Sequence, residues 1–321
     1  MITKLTTRFI ARWLLFAVAF AELSTSAQVV TPAVDIARQV SQTVSPQPPD
    51  IEVPAERSAI IGSNQRLAAD AEFGEQQLLR RRASWEPWSV SLDAQYYLTD
   101  NVALAPAGAL EDWYLRSGLS VRYSNRLVGD WVFEALATDH LYLYDAYSAL
   151  NFQLARVQAG IVRHLPWWRD FTVSAHYSWY RVSQNDLTSL AFQDHIGTVG
   201  MQKVWKVSRG LQFFAGADAD LSLSPQPTAP ARNEFSAFGG GRLRLTEKLS
   251  LMASYRGARH DYTGIDRADW NHVALVGCAY DLTRRARLSL SVSSTWNRSS
   301  ASFFNYDSAV AGAGVSFHLE F

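Results

Sequence analysis

Residues 113–123 read WYLRSGLSVRY, and their alternation decides the fold. Trp113, Leu115, Leu119, Val121 and Tyr123 fall on one side of an extended chain, with Tyr114, Arg116, Gly118, Ser120 and Arg122 on the other. Successive side chains of a strand point to opposite faces, so a period of two separates an apolar wall from a polar one. The same rule runs through 211–221, where Leu211, Phe213, Ala215, Ala217, Ala219 and Leu221 oppose Gln212, Gly216, Asp218 and Asp220. Further along, Leu288, Leu290, Val292 and Trp296 oppose Ser289, Ser291 and Ser293.

Working outward, segments of this kind recur near 88–98, 112–124, 131–141, 148–163, 171–183, 194–207, 211–223, 234–245, 249–261, 270–282, 287–297 and 308–321. Their lengths suit a tilted strand crossing a bilayer, which takes roughly 9–11 residues. The fourth breaks parity near Ala155, which predicts a bulge or a displaced boundary there. Connections alternate as well. Asn125–Asp130, His164–Asp170, Ser208–Gly210, Thr246–Lys248 and Thr283–Ala286 are short, whereas Thr99–Glu111, Gln184–Gln193, Ser224–Asn233 and Arg298–Asp307 are mostly longer. Membrane barrels of bacteria show this asymmetry, with short periplasmic turns and longer outer loops. The expected fold is therefore all-β: an antiparallel transmembrane β-barrel of about twelve strands, with an even strand number placing both barrel ends in the periplasm.

Tryptophan placement agrees with lipid. Trp85, Trp88, Trp131, Trp167, Trp168 and Trp205 cluster at predicted periplasmic ends. Trp113, Trp270 and Trp296 sit at outer ends, and Trp179 in the outer half of its strand. An indole favours the membrane interface, so two girdles are expected of a barrel in lipid. The chain is 48% hydrophobic with a mean hydropathy of −0.10. Alternating faces reconcile those values, because the average hides the lipid-facing wall.

The N-terminus sets the compartment. Lys4, Arg8 and Arg12 precede an apolar core from Trp13 to Ala21, and Ser24-Thr25-Ser26-Ala27 lead to Gln28. This predicts a secretory signal peptide over 1–27. Its core is too short for the roughly 20 residues of a spanning helix. Residues 28–63 carry Pro32, Pro46, Pro48, Pro49 and Pro54 with few large apolar groups, and read as a disordered periplasmic linker. Residues 64–87 read as a short periplasmic helix and lead-in. Asn64 caps it, Leu67, Ala68, Ala71, Leu78 and Leu79 give an apolar face, and Arg80-Arg81-Arg82 closes it where the dipole favours cations. The barrel occupies 88–321.

Of 30 basic and 30 acidic residues, Lys4, Arg8, Arg12 and Glu22 leave with the signal peptide, so 27 face 29 in the mature chain. Such balance gives no electrostatic case for nucleic acid. Cys278 is the single cysteine, which excludes an internal disulfide and a thiolate metal site.

The C-terminus, VAGAGVSFHLEF over Val310–Phe321, puts Ala311, Ala313, Val315, Phe317, Leu319 and Phe321 on one face. It resembles the C-terminal assembly signal of bacterial outer-membrane proteins, an alternating aromatic strand ending in Phe. That resemblance implies the outer-membrane barrel assembly machinery as partner, with Phe317, Leu319 and Phe321 in the signal. Tyr96-Tyr97-Leu98-Thr99-Asp100-Asn101, the apolar stretch to Pro106, and Asp112-Trp113 are similar to the opening of uncharacterised β-barrel porin families. The likeness implies a porin-like barrel without a settled substrate. By residue chemistry alone, Thr99, Asp100 and Asn101 are good turn formers.

Signs of catalysis are sparse. Asp139-His140, Asp194-His195 and His260-Asp261 fall near strand ends, with Asp266 and Asp269 beyond. A carboxylate–imidazole pair could activate water, yet adjacent strand residues point to opposite faces and each pair offers one member inward. No serine–histidine trio, metal-ligand spacing or phosphate-binding glycine loop stands out, so no cofactor is expected. Gly239-Gly240-Gly241 reads as a bend or close approach. Function is left to the lumen, where Asp93, Tyr114, Arg116, Arg122, Arg156, His176, Asp218, Asp220 and Arg256 are predicted to point inward. Three readings follow. The first is a porin-like channel for passive diffusion of small hydrophilic solutes. The second is a non-conducting barrel serving as anchor or export partner in envelope polysaccharide secretion. The third is a rim-located hydrolase. Lipid and lipopolysaccharide are the expected surroundings, and the oligomeric state stays open.

Overall fold

The computed structural model describes residues 34–38, 87–168, 170–184 and 189–321. Twelve antiparallel strands close into one barrel: β1 (Trp88–Thr99), β2 (Asp112–Arg126), β3 (Trp131–Tyr144), β4 (Phe152–Leu165), β5 (Phe171–Gln184), β6 (Ser189–Lys206), β7 (Leu211–Ser222), β8 (Arg232–Arg244), β9 (Leu249–Tyr262), β10 (Ala268–Asp281), β11 (Ala286–Ser299) and β12 (Tyr306–Glu320). Each pairs with its sequence neighbours, and β1 closes on β12 from Ser89↔Glu320 to Thr99↔Val310. At the seam the Trp88 amide donates to the Phe321 carbonyl at 3.1 Å, and the Phe321 amide donates back at 3.0 Å. Closure leaves no unpaired edge, the condition for backbone polar groups to lie in hydrocarbon.

The pleat turns the apolar wall outward. Leu92, Leu119, Val157, Val199, Val276, Leu290 and Val292 are all exposed. A belt of that size would be a liability in water and is what contact with lipid requires. Strand parity sets Trp88, Trp113, Trp131, Trp179, Trp205, Trp270 and Trp296 on the same wall. Trp167 and Trp168 occupy the 3-10 turn Pro166–Trp168. Phe317 and Leu319 also face outward, 52% and 46% exposed. At the short-turn end Arg163 lies over Trp131, 5.0 Å from its ring, and Lys203 lies 5.5 Å from both Phe171 and Trp205.

Three of the short turns share one device. The hydroxyls of Ser208, Thr246 and Thr283 each accept hydrogen bonds from amides two and three residues on, at 3.0–3.3 Å. Such local bonding is why hydroxyl residues favour turns over strand interiors. At the other end the Thr-Asp-Asn turn does more than reverse the chain. Asn101 is buried, and its side chain accepts from the Ala105 amide at 3.0 Å and donates to Ala105 and Asp307 carbonyls at 2.9 Å. Asp112 accepts from the amides of Trp113, Ala146 and Tyr147 and so ties the β3–β4 loop to β2.

Two strand expectations need correction. β4 begins at Phe152 and pairs without interruption on both sides, so the break near Ala155 was a displaced boundary. The register shift falls instead between Val182 and Ser183, against β6. β6 starts at Ser189 and the β5–β6 connection is shorter than expected. The cause of the false parity is that Phe152 and Leu154, apolar and buried, face the lumen.

They meet a further element. Residues 34–38 form one helical turn, α1, buried within the barrel. This differs from the disordered linker expected over 28–63. The signal peptide and the 64–82 helix lie outside the described residues.

Candidate functional site in the barrel lumen

Alternation assigns every inward position, and the two halves of the lumen are built from different side chains. Towards the long-loop end, Tyr97, Tyr114, Tyr142, Tyr144, Phe152, Leu154, Tyr180, Val182 and Phe192 form one buried cluster with Val34, Ile36 and Ala37 of α1. Tyr97 and Tyr114 stack with ring centres 5.2 Å apart, and Tyr142 and Phe152 at 4.2 Å. Such rings are usual in a closed core, where offset stacking adds to apolar burial. Glycine makes room for them at Gly312, where an added Cβ would lie 2.0 Å from the Tyr97 ring. Towards the short-turn end the inward positions include Ser89, Ser91, Ser120, Ser174, Gly200, Ser250, Ser289, Ser291 and Gly314. Gly240 is a close approach as expected, with Phe214 packed where its Cβ would be.

The polar side of α1 seats in an ion cluster at the long-loop mouth. The Tyr262 hydroxyl donates to Asp35 Oδ1 at 2.9 Å and Arg267 Nη1 donates to Asp35 Oδ2 at 2.8 Å. Arg232 Nη1 stands 3.6 Å from Asp35 Oδ1. Arg38 donates to the Pro230 carbonyl at 2.6 Å, and its guanidinium lies 4.8 Å from the centre of the Phe192 ring. Around this seat Arg267 holds Asp269 through Nε, at 2.9 and 3.0 Å, and through Nη2. Its guanidinium sits 4.1 Å from the Tyr262 ring centre and 3.7 Å from that of Phe304. Burial works against the Arg267 charge, but Asp35 and Asp269 outweigh it and hold its pKa above the ordinary value. Burial, with Arg232 nearby, pushes Arg38 below its ordinary value. Arg232 also donates to Glu234 at 2.9 Å, Arg256 bonds the other Glu234 oxygen, and His260 Nε2 stands 3.0 Å from that carboxylate.

The residues expected in the lumen fall on inward faces and mostly pair with one another. Arg116 lies 3.4 Å from Asp93 and donates to Gln95 at 3.1 Å, and His140 Nε2 stands 4.0 Å from Asp93. Tyr114 joins the aromatic cluster. Arg156 donates to the Ser178 hydroxyl at 3.1 Å. Asp218 accepts from Ser236 at 2.6 Å and Asp220 from Thr198 at 2.5 Å. His176 faces in opposite Gly160. Arg122 pairs in register with Ser89 and Leu136, nearer the short-turn end and apart from these clusters.

Each Asp–His pair splits across the wall as parity demands. Asp139 faces out and accepts both oxygens' bonds from Gln153 at 2.9 Å, while His140 faces in. His195 faces out and meets the Tyr177 hydroxyl at 2.6 Å, while Asp194 faces in and accepts from Ser222 at 2.5 Å. Asp261 faces out beside Arg259, and His260 faces in. No group of metal-ligating side chains occurs among the described residues. Sequence reasoning missed Asp35, Arg38, Arg232, Glu234 and Arg267. A usable signal was the inward apolar run Phe152, Leu154, Val182 and Phe192, because buried apolar groups on a lumen face need a filler.

Residues 184–319 match the family described as Putative beta-barrel porin 2. That stretch lies downstream of the 96–113 hairpin whose likeness to such families is legible in the sequence. Among solved structures, an outer membrane channel from Pseudomonas putida F1 is 10% identical, with a TM-score of 0.54, and the match covers 74% of this chain and 96% of that one. The outer membrane channel DcaP of Acinetobacter baumannii is 10% identical with a TM-score of 0.41, covering 72% of this chain and 96% of that one. No curated protein matches. The chain thus has the fold of bacterial outer-membrane channel barrels, as its terminal strand and first hairpin implied.

Proposed function

We propose that this outer-membrane barrel is a porin-like channel for passive diffusion of small hydrophilic solutes, held shut at its outer mouth by residues 34–38. The divided lumen carries the reading. One half has small hydroxyl side chains and glycine among its inward positions, while the other is filled by a segment that shares no strand pairing with the wall. Twelve strands give an interior wider than the side-chain-filled eight-stranded case. With α1 withdrawn, Arg122, Arg156, His176, Asp218, Asp220 and Arg256 line the path beside the Asp93–Arg116 pair. In this reading the chain before Trp88 starts from the periplasm, and the barrel assembly machinery inserts the protein through its outward Phe317, Leu319 and terminal Phe321. Arg163 and Lys203 meet lipid headgroups at the periplasmic girdle, and Arg259 and Arg298 face lipopolysaccharide at the outer one.

The test is removal of residues 28–38, with the signal peptide kept. In planar bilayers the shortened protein is expected to give stepwise ion conductance, while the intact protein gives rare steps or none. Absence of steps from folded, shortened protein would end the channel reading. It would favour the second one, a non-conducting barrel acting as anchor or export partner, to which the filled outer half also lends support.

A further inference from the structure

The place that Asp35 occupies is built by the barrel alone. Its donors come from three elements: Arg232 begins β8, Tyr262 ends β9, and Arg267 precedes β10. Each is held by something other than α1. Arg267 is fixed by Asp269 and packed against the rings of Tyr262 and Phe304. Arg232 is held by Glu234, and donates from Nη1 to the Tyr262 hydroxyl at 3.3 Å. Asp269 is further fixed by Asn297, which donates at 3.0 Å. When Asp35 leaves, the donors therefore keep their positions.

Charge points the same way. Without Asp35, the guanidiniums of Arg232, Arg256 and Arg267 share two carboxylates, Glu234 and Asp269. Arg232 and Arg267 then lose the carboxylate that lies between them, and a buried guanidinium favours an anion beside it. The Asp35 carboxylate is seated with one oxygen on a phenol and the other on a guanidinium, an arrangement suited to a flat two-oxygen group. The seat lies at the outer mouth, where a solute from outside arrives first.

We propose that this seat is a carboxylate subsite: a solute bearing a carboxylate takes the place of Asp35 on Arg232, Tyr262 and Arg267 and displaces α1. The inference rests on the channel reading and names the solute class that opens it. Asp35 then acts as a tethered stand-in for solute, and neutral solutes lack the group that competes with it.

The mature full-length protein and its Asp35→Ala variant, in detergent, are titrated calorimetrically with sodium gluconate, with glucitol and with inorganic phosphate. Gluconate carries a carboxylate where glucitol carries a hydroxyl. Asp35→Ala is expected to bind gluconate at least about tenfold more tightly than it binds glucitol or phosphate, and at least about tenfold more tightly than the unaltered protein does. Adding Arg267→Gln to Asp35→Ala is expected to abolish that preference, with heat-modifiable electrophoretic mobility checking that each barrel is folded. Equal binding of gluconate and glucitol by folded Asp35→Ala overturns the proposal, as does phosphate binding as tightly as gluconate or a preference that survives Arg267→Gln. Calorimetry does not depend on conductance, so the outcomes separate. A shortened protein that conducts without a gluconate preference sinks the subsite alone, and a gluconate preference without conductance sinks the channel alone.

Discussion

The long-loop and short-turn halves of the lumen obey one alternation and end as different materials. In the long-loop half the inward positions of β1–β6 include Tyr97, Tyr114, Tyr142, Tyr144, Phe152 and Phe192, packed on Val34, Ile36 and Ala37. In the short-turn half they include Ser89, Ser120, Ser289, Ser291 and Gly314. Parity alone says that a residue faces in, while side-chain volume says whether the space is a core or a vestibule. A buried aromatic removes about 150–250 Å² from water, so the long-loop half gains by recruiting a filler, and a serine wall has little to gain from one. The ion cluster sharpens the contrast. Arg267 and Asp269 are almost wholly buried beside Asp35, so Asp269 depends on Arg267 for its countercharge.

The largest expected break in this contrast is Arg267→Ala. It leaves Asp269 without its guanidinium and Asp35 with Arg232 and Tyr262 alone, and losing one partner of a buried pair costs about 3–5 kcal/mol. Thermal unfolding followed by heat-modifiable mobility should show a clear fall in midpoint, accompanied by freer conductance. An unchanged midpoint would mean that the cluster is solvated. Gly312→Val comes next, because its side chain collides with the Tyr97 ring. Overpacking of that kind costs about 1–3 kcal/mol, and in a Tyr97→Ala background Gly312→Val should add little further loss. An undiminished loss in that background would place the strain elsewhere. The smallest effect belongs to the short-turn half. Ser120→Ala should stay within about 0.5 kcal/mol of the unaltered protein, and a larger loss would show that this half is packed as tightly as the other.

Much of the barrel was legible because its cause is local. The alternation in 113–123 reports which wall each residue joins, and Ser208, Thr246 and Thr283 announce their turns through bonds to their own neighbours. Asp93, Arg116, Asp218 and Asp220 were placed inward for the same reason. What they bond to was not legible, since Asp218 with Ser236 and Asp220 with Thr198 are partners across strands. Phe152 and Leu154 misled because apolar residues were assigned to lipid when their neighbour was α1. The segment 34–38 was read as too poor in apolar surface to order itself. In the barrel, Val34, Ile36 and Ala37 pack on the lumen-facing rings, which supply that surface.

By itself, then, the sequence determined the wall: twelve alternating strands, tryptophan girdles and a terminal Phe321, all consequences of period and interface chemistry acting within single segments. Only the tertiary structure decided what fills the lumen. Asp35 meets Tyr262, Arg232 and Arg267 from nearly two hundred residues or more away. Contacts between segments so far apart leave no periodicity in the chain. They exist because barrel closure brings unrelated strands around one buried charge that needs partners.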